Sequence, residues 1–314
     1  MAGKYSGRDR DFIGYGGRPP HPKWPQDSRL ALNFVINIEE GAERSIGDGD
    51  GASEFHLTEV AASPVPKGER DLSAESMFEY GSRVGFWRLH RVFSQAGFPV
   101  TIFACAKALA RNPAIARVIT EADWDVCAHG NRWVEHYNMS EEEERAAIAE
   151  AVHGIEHSTG SPPRGWYCRY APSINTRRLL LEHGGFIYDS DAYNDELPYW
   201  VDMGQHSHLV VPYTLNTNDA KFGRGNLSTA GQFYECLRDT FDLLYAEGER
   251  APKMMSVGLH QRITGHPSRC ARLVRFLEHV ASHRQVWVCR RIDIAEHWRT
   301  HFPPVRENVG FETW

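Results

Sequence analysis

The stretch Leu30–Ile38, LALNFVINI, runs without the polar alternation of a half-exposed strand and leads straight into Glu39-Glu40-Gly41. Continuous apolar runs of this length belong to strands buried on both faces, which in practice means parallel strands covered by helices. Two carboxylates fixed to the end of such a strand are costly to bury unless a use compensates. This one segment therefore predicts a parallel α/β core and marks where its chemistry collects.

The rest of the chain fits that core. Further strand-like runs cover 100–106, 125–129, 165–170, 186–191, 209–214, 254–260 and 286–290, with helical patterns over 81–96, 107–122, 140–158, 175–183, 229–247, 268–283 and 292–300. Ser140 and Glu143 have the spacing of a capping box at one helix start. Eight strands alternating with helices predict a (β/α) barrel, closed or partly open, in a single domain over 29–302, with an extended arm over 1–28 and a tail over 303–314. An open doubly wound sheet is the alternative, but no glycine-rich phosphate loop follows the first strand. Residues 41–76 are rich in Gly, Ser, Glu and Pro with no clear period; a stretch that long inside a compact chain is usually functional.

Composition narrows the function. The 314 residues carry 35 Lys and Arg against 41 Asp and Glu, a formal charge of −6, and no basic block stands out. A surface that tracks phosphates needs clustered cations, so nucleic acid is not an expected partner. No apolar run nears the ~20 residues of a membrane helix, so a membrane partner is not expected either. The opening MAGKYSGRDRDFIGYGG lacks the apolar core of a secretory signal, and the six cysteines are scattered without a CxxC pair. A cytoplasmic, reducing setting is the expectation.

Polar side chains gather just past the C-terminal ends of the strand-like runs, where barrel active sites lie. Asn37, Glu39 and Glu40 follow the first run; His129 closes the third, ahead of Asn131, Arg132 and Trp133; Arg169 and Tyr170 close the fourth. Asp189 and Asp191 close the fifth, Asn216, Asn218 and Asp219 follow the sixth, and His260 closes the seventh, ahead of Gln261 and Arg262. Each has a bland reading: a lone His is usually a satisfied core residue, Trp133 can be core, Arg169 can pair with Asp189 or Asp191, and turns favour residues such as Asp191 and Asn216. Polar groups at six such ends make a stronger pattern than any one alone. A carboxylate that takes a proton from water, opposite a histidine that gives one to the departing nitrogen, is the pairing that hydrolyses an amide. A metal or fixed donors must then stabilise the tetrahedral oxyanion. The spacing points to a hydrolase and leaves its substrate open.

These residues resemble the polysaccharide deacetylase (NodB-homology) superfamily, which carries Asp-Asp-Gly on its first strand, His-x-x-x-His after a later strand and a Leu-x-His-like motif near its end. Asn37-Ile38-Glu39-Glu40-Gly41, His129-Gly130-Asn131-Arg132-Trp133 and Val257-Gly258-Leu259-His260 stand at those places. In the superfamily's deacetylases the first acid is the base, the second acid and two histidines hold zinc or a similar ion, and the final histidine is the acid. Here Glu replaces both Asp residues and Trp133 replaces the second histidine. His136 lies seven residues beyond His129, roughly 10 Å along a helix and too far to share an ion. One His and one Glu fall short of the three protein ligands of a catalytic zinc, so no cofactor is expected; a weakly held zinc would have Glu40 and His129 as ligands.

Those departures match one branch, the metal-independent, PuuE-type allantoinases. Nearly the whole chain is similar, through blocks at 11–16, 19–25, 39–41, 76–83, 165–167, 188–191, 197–200, 211–219 and 287–295. The resemblance implies a distorted (β/α) barrel of the NodB type and a homo-oligomer, with a tetramer as the expected size. It implies ring opening of a hydantoin-type cyclic amide, allantoin to allantoate in purine catabolism, with Glu39 as base and His260 as acid. Glu40, His129 and Arg169 would bind imide and carbonyl groups, Trp133 would stack on the flat ring, and Asp191 and Asn216 complete the substrate-binding candidates. Two loops depart from the branch: Asn131 stands where an aromatic is usual, and 167–172 replaces small polar or Gly residues. A related cyclic imide or ureide therefore stays open as substrate. The rival functions are a metal-dependent N-deacetylase acting on a sugar or polysaccharide amide, and a non-catalytic binder, which would need neither Glu39 nor His260.

Overall fold

The computed structural model describes residues 10–304; residues 1–9 of the expected arm and 305–314 of the expected tail lie outside the described residues. Strand β1 (Leu30–Ile38) is buried at every position. Its even-numbered side chains, Leu30, Leu32, Phe34, Ile36 and Ile38, pack between sheet and helices. Odd-numbered Ala31 and Val35 point into the barrel, among Tyr167, Tyr188, Tyr213 and Trp298. Two apolar layers, one on each face, are why the run shows no polar alternation. Asn33 and Asn37 share the inward face, and each donates its side-chain N–H to a backbone carbonyl, Met255 at 2.9 Å and Leu259 at 3.0 Å. Buried amides need such partners.

On one side β1 pairs in parallel with β8 (Lys253–His260) along nearly its whole length; on the other it pairs with β2 (Thr101–Ala104) over its second half and with β9 (Val286–Val288) over its first three residues. Beyond β2 come β3 (Asp125–Ala128), β4 (Gly165–Trp166), β5 (Tyr188–Asp189) and β7 (Ser207–Val210), all parallel, and then β6 (Tyr199–Asp202), antiparallel to β7. The result is a distorted, partly open barrel of the expected α/β class. Among the described residues a bridge from Asn218 to Gly258 begins to span the gap between the β7 side and β8.

The structure differs from the sequence pattern at several points. Strands β4 and β5 are cut to two residues because the chain leaves the sheet early to build loops; the Cys168 N–H donates to the Asp191 carboxylate (2.8 Å) instead of to a ladder. Strand β6 was not expected: only Val201 of its four residues is buried, so it carries no apolar period. The helix expected from residue 81 starts earlier, at Leu72–Tyr80 with Asp71 as its cap, passes through a π-helical turn at Gly81–Gly85 and continues as Phe86–Ala96. Glycine is required in that turn. A Cβ on Gly81 would stand 2.5 Å from Glu40 Oε1, and one on Gly85 would overlap the Gln261 carbonyl. The helix thereby lies directly against the loops that follow β1 and β8. No helix among the described residues is long and apolar enough to cross a membrane.

Candidate active site

A cavity of about 240 Å³ opens at the C-terminal ends of the strands, with Glu39, His129, Trp133, Arg169 and His260 in its wall. Glu39 extends from the end of β1 and is 1% exposed. Its Oε1 lies 3.2 Å from His129 Nε2 and 3.4 Å from His260 Nε2, and its Oε2 accepts from Arg262 Nη2 at 2.7 Å. Burial on its own would raise the Glu39 pKa; the Arg262 guanidinium, then His260 and His129, outweigh it and hold the carboxyl well below the usual range.

His260 ends β8. Its Nδ1 donates to Asp219 Oδ1 at 2.6 Å, and Asp219 Oδ2 accepts from the His260 backbone N–H and from the Thr264 N–H and hydroxyl. The dyad fixes the ring with Nε2 towards Glu39. Burial opposes charge on His260, but Glu39 and Asp219 prevail and push its pKa up to about 9. On β3's end, His129 Nδ1 donates to the Tyr167 carbonyl (2.9 Å), and its ring stacks on Tyr167 at 5.0 Å.

Arg262 bridges the two acids, with Nη2 on Glu39 and Nη1 on Glu40 Oε1 at 3.0 Å, while its Nε donates to the Leu57 carbonyl at 2.9 Å. Glu40 also accepts from Gln261 Nε2 and from the Glu39 backbone N–H. Burial and the neighbouring Glu39 charge raise Glu40, against the pull of Arg262. Two buried acids sharing one cation are thus driven apart, with Glu39 ionised and Glu40 the harder to ionise.

Three sequence candidates are placed elsewhere. Glu40 does not reach the cavity; Arg262, Gln261 and Gly81 enclose it. Asp191 lies behind the wall, accepting from the Cys168 N–H, and burial with the adjacent Asp189 raises it to about 8. Asn216 is exposed on its loop and accepts from Lys221 Nζ at 3.2 Å. Two departures from the family pattern also separate. Asn131 donates to Glu150 outside the cavity, whereas Tyr167, Arg169 and Tyr170 line it.

Arg169 pairs with neither Asp189 nor Asp191. Its Nη1 donates to Glu54 Oε2 (2.6 Å) and to the Trp133 carbonyl (2.9 Å), its Nε meets Glu135 at 3.2 Å, and its guanidinium sits 3.8 Å from the Trp133 ring centroid. Trp133 therefore has a cation over its ring where a stacking substrate was expected. Glu54 comes from the aperiodic stretch after β1; burial raises it, but Arg169 dominates and holds it at about 2. The same stretch supplies Phe55, His56, Leu57, Val60 and Ala61 to the cavity wall.

The residues present do not fit the superfamily's metal ion. Glu39 and His129 offer donors, but Arg262 occupies the second Glu39 oxygen and the Trp133 ring has no lone pair to give. The reserve pairing of Glu40 with His129 is not formed, because the acid beside His129 is Glu39. His136 is turned to Glu144, 3.2 Å from its Nδ1. Glu39, His129 and His260 do not bring three donor atoms within 4.8 Å of one another; among the described residues only Asp242, His279 and His283 do.

Sequence reasoning missed Arg262, Asp219 and Glu54 as members of the site. Arg262 and Asp219 did stand among the polar groups at strand ends, which was the available signal; the length of the aperiodic stretch 41–76 marked it as functional, but nothing in it singled out Glu54.

The polysaccharide deacetylase family model matches residues 68–185. A Schizosaccharomyces pombe protein assigned to the polysaccharide deacetylases is 39% identical over 317 aligned positions, covering 94% of this chain and 98% of that one. A solved Pseudomonas aeruginosa structure with the same assignment superposes with a TM-score of 0.91 at 47% identity, over 95% of this chain and 100% of that one. The structure of the PuuE allantoinase superposes with a TM-score of 0.91 at 48% identity, over 95% and 99% of the two chains.

Proposed function

This chain belongs to the polysaccharide deacetylase family of hydrolases, and we propose that its cavity opens a hydantoin-type cyclic amide, with allantoin to allantoate as the reaction. One observation carries the reading: Glu39 and His260 face each other at 3.4 Å, with the carboxyl held well below its usual range and the imidazole pushed up to about 9. Environments that drive two titratable neighbours apart in this way assign the base and the acid.

Water held by Glu39 gives that carboxylate a proton as its oxygen bonds the ring carbonyl carbon. The carbonyl oxygen becomes an oxyanion, within reach of the donors lining the cavity, Arg169, Asn218 and Tyr213. As the C–N bond breaks, the nitrogen takes the proton of His260 Nε2, leaving a carboxylic acid and a ureido nitrogen on one opened chain. Substrate and water entering between Glu39 and His260 separate the two charges, so Glu39 becomes a stronger base when it is needed. Arg262 keeps Glu39 ionised. The cavity size also supports a small ring, since about 240 Å³ is below the ~300–1,000 Å³ of pockets that enclose drug-sized ligands. The likeness to the PuuE allantoinase supports the choice of allantoin.

Purified protein offered allantoin and, separately, an N-acetylglucosamine oligomer tests the reading. Ring opening of allantoin is expected; release of acetate from the oligomer with no ring opening would overturn it.

A further inference from the structure

At the opposite end of the barrel lies a second group of ligating side chains. Helix Pro267–Ala281 runs back from the active-site end towards the start of β9, so its last turn stands at the N-terminal end of the strands. His279 in that turn and His283 just beyond it are four residues apart, and Asp242 comes from the neighbouring helix Ala230–Glu247. Each offers one donor atom, and the three atoms lie within 4.8 Å of one another. His279 Nε2 is 2.6 Å from Asp242 Oδ1. His283 Nδ1 donates to the His279 carbonyl (2.8 Å), which leaves its Nε2 as the coordinating atom; Ser282 Oγ donates to the same carbonyl at 2.7 Å. A backbone hydrogen bond on one ring nitrogen is the usual outer-shell support of a ligating histidine. The two imidazoles pack at 4.6 Å, with Phe241 against both and Tyr245 against His283. Solvent reaches the group, since the His279 and Asp242 side chains are 22% and 45% exposed.

We propose that Asp242, His279 and His283 bind one divalent transition-metal ion, zinc being the best match to two imidazoles and a carboxylate. The ion takes the place of the proton now between His279 and Asp242, and water completes its coordination. It clamps helix Ala230–Glu247 to the end of helix Pro267–Ala281, over which β9 is reached. Because the group lies at the stability end of the barrel, the ion acts on folding and not on turnover.

Zinc chloride titrated into chelator-treated full-length protein, followed by calorimetry and thermal unfolding, tests this. One ion per chain and a higher Tm are expected. His283→Ala and Asp242→Asn should each weaken binding at least tenfold and remove the Tm rise, while His129→Ala in the cavity should leave both intact. Magnesium should not substitute, being a poor partner for imidazole. The proposal is overturned if zinc does not bind, if binding survives both surface variants, or if it is lost with His129→Ala instead.

Discussion

Arg262 and Arg291 are both buried guanidiniums just past the end of a strand, and they are held in opposite ways. Arg262 touches two carboxylates, Glu39 and Glu40, and one carbonyl. Arg291 is fully buried inside the barrel, and the acceptors it meets are all neutral: Asn33 Oδ1 at 2.9 Å, Ser256 Oγ at 2.8 Å, Ser190 Oγ at 2.9 Å, and the carbonyls of Val211 and Pro212 at 2.5 and 3.0 Å. Those acceptors come from β1, from β8 and from the segments that follow β5 and β7, so Arg291 ties the barrel together through geometry. Arg262 acts through its charge, which decides which of two acids is ionised. A buried cation solvated by dipoles is structural; one that bridges a cavity-wall acid to a second acid behind it sets their ionisation.

The largest effect belongs to the acid that Arg262 keeps ionised. Glu39→Gln should lower kcat by about 10²–10⁴-fold, measured in steady state on folded protein; a near-normal rate would remove Glu39 as base. Next comes the comparison itself. Arg262→Lys cannot bridge two carboxylates, so the Glu39 pKa should rise and the acid limb of the kcat/KM profile should move towards neutral pH. Arg291→Lys strands several buried acceptors, each worth about 1–3 kcal/mol; it should lower Tm and leave that limb where it is. If both variants moved the pH profile alike, the distinction between the two arginines would fail.

A smaller shift is expected at His260. Its folded pKa of about 9 lies above the ordinary value near 6.5, so the protonated acid is present through neutral pH and lost as pH rises through about 9. The stability from its pairing follows the same sign, full below about 6.5 and gone above the folded value. Asp219→Asn removes one of the two charges that raise it, so the alkaline limb should move down in pH. Smallest of all, Asn216→Ala on its exposed loop should change neither rate nor Tm, with any stability effect within about 0.5 kcal/mol.

Much of the fold was legible because burial on two faces leaves a mark that one strand carries alone, as Leu30–Ile38 does. The placement of Glu39, His129 and His260 at one end follows from the same logic, since parallel strands deliver their C-terminal ends to one side. Arg262 was present at a strand end but could not be matched to its acids, which lie 222 and 223 positions away in the chain. No periodicity encodes such a pairing. Glu54 and the wall residues Phe55–Leu57 were hidden for a related reason: their stretch is organised by the ion pair of Glu54 with Arg169 and by the Leu57 carbonyl on Arg262, not by an apolar period. Trp133 was expected to stack on the substrate ring; it lines the cavity, but the Arg169 cation from a different loop covers its ring.

The proposed chemistry needs no metal ion: Arg262 holds Glu39 ionised, and fixed donors in the cavity meet the oxyanion. Its most direct test is the rate of allantoin ring opening by protein stripped with a chelator, measured with and without added zinc. An unchanged rate in both is the result this account expects; turnover that disappears on stripping and returns only with zinc would contradict it.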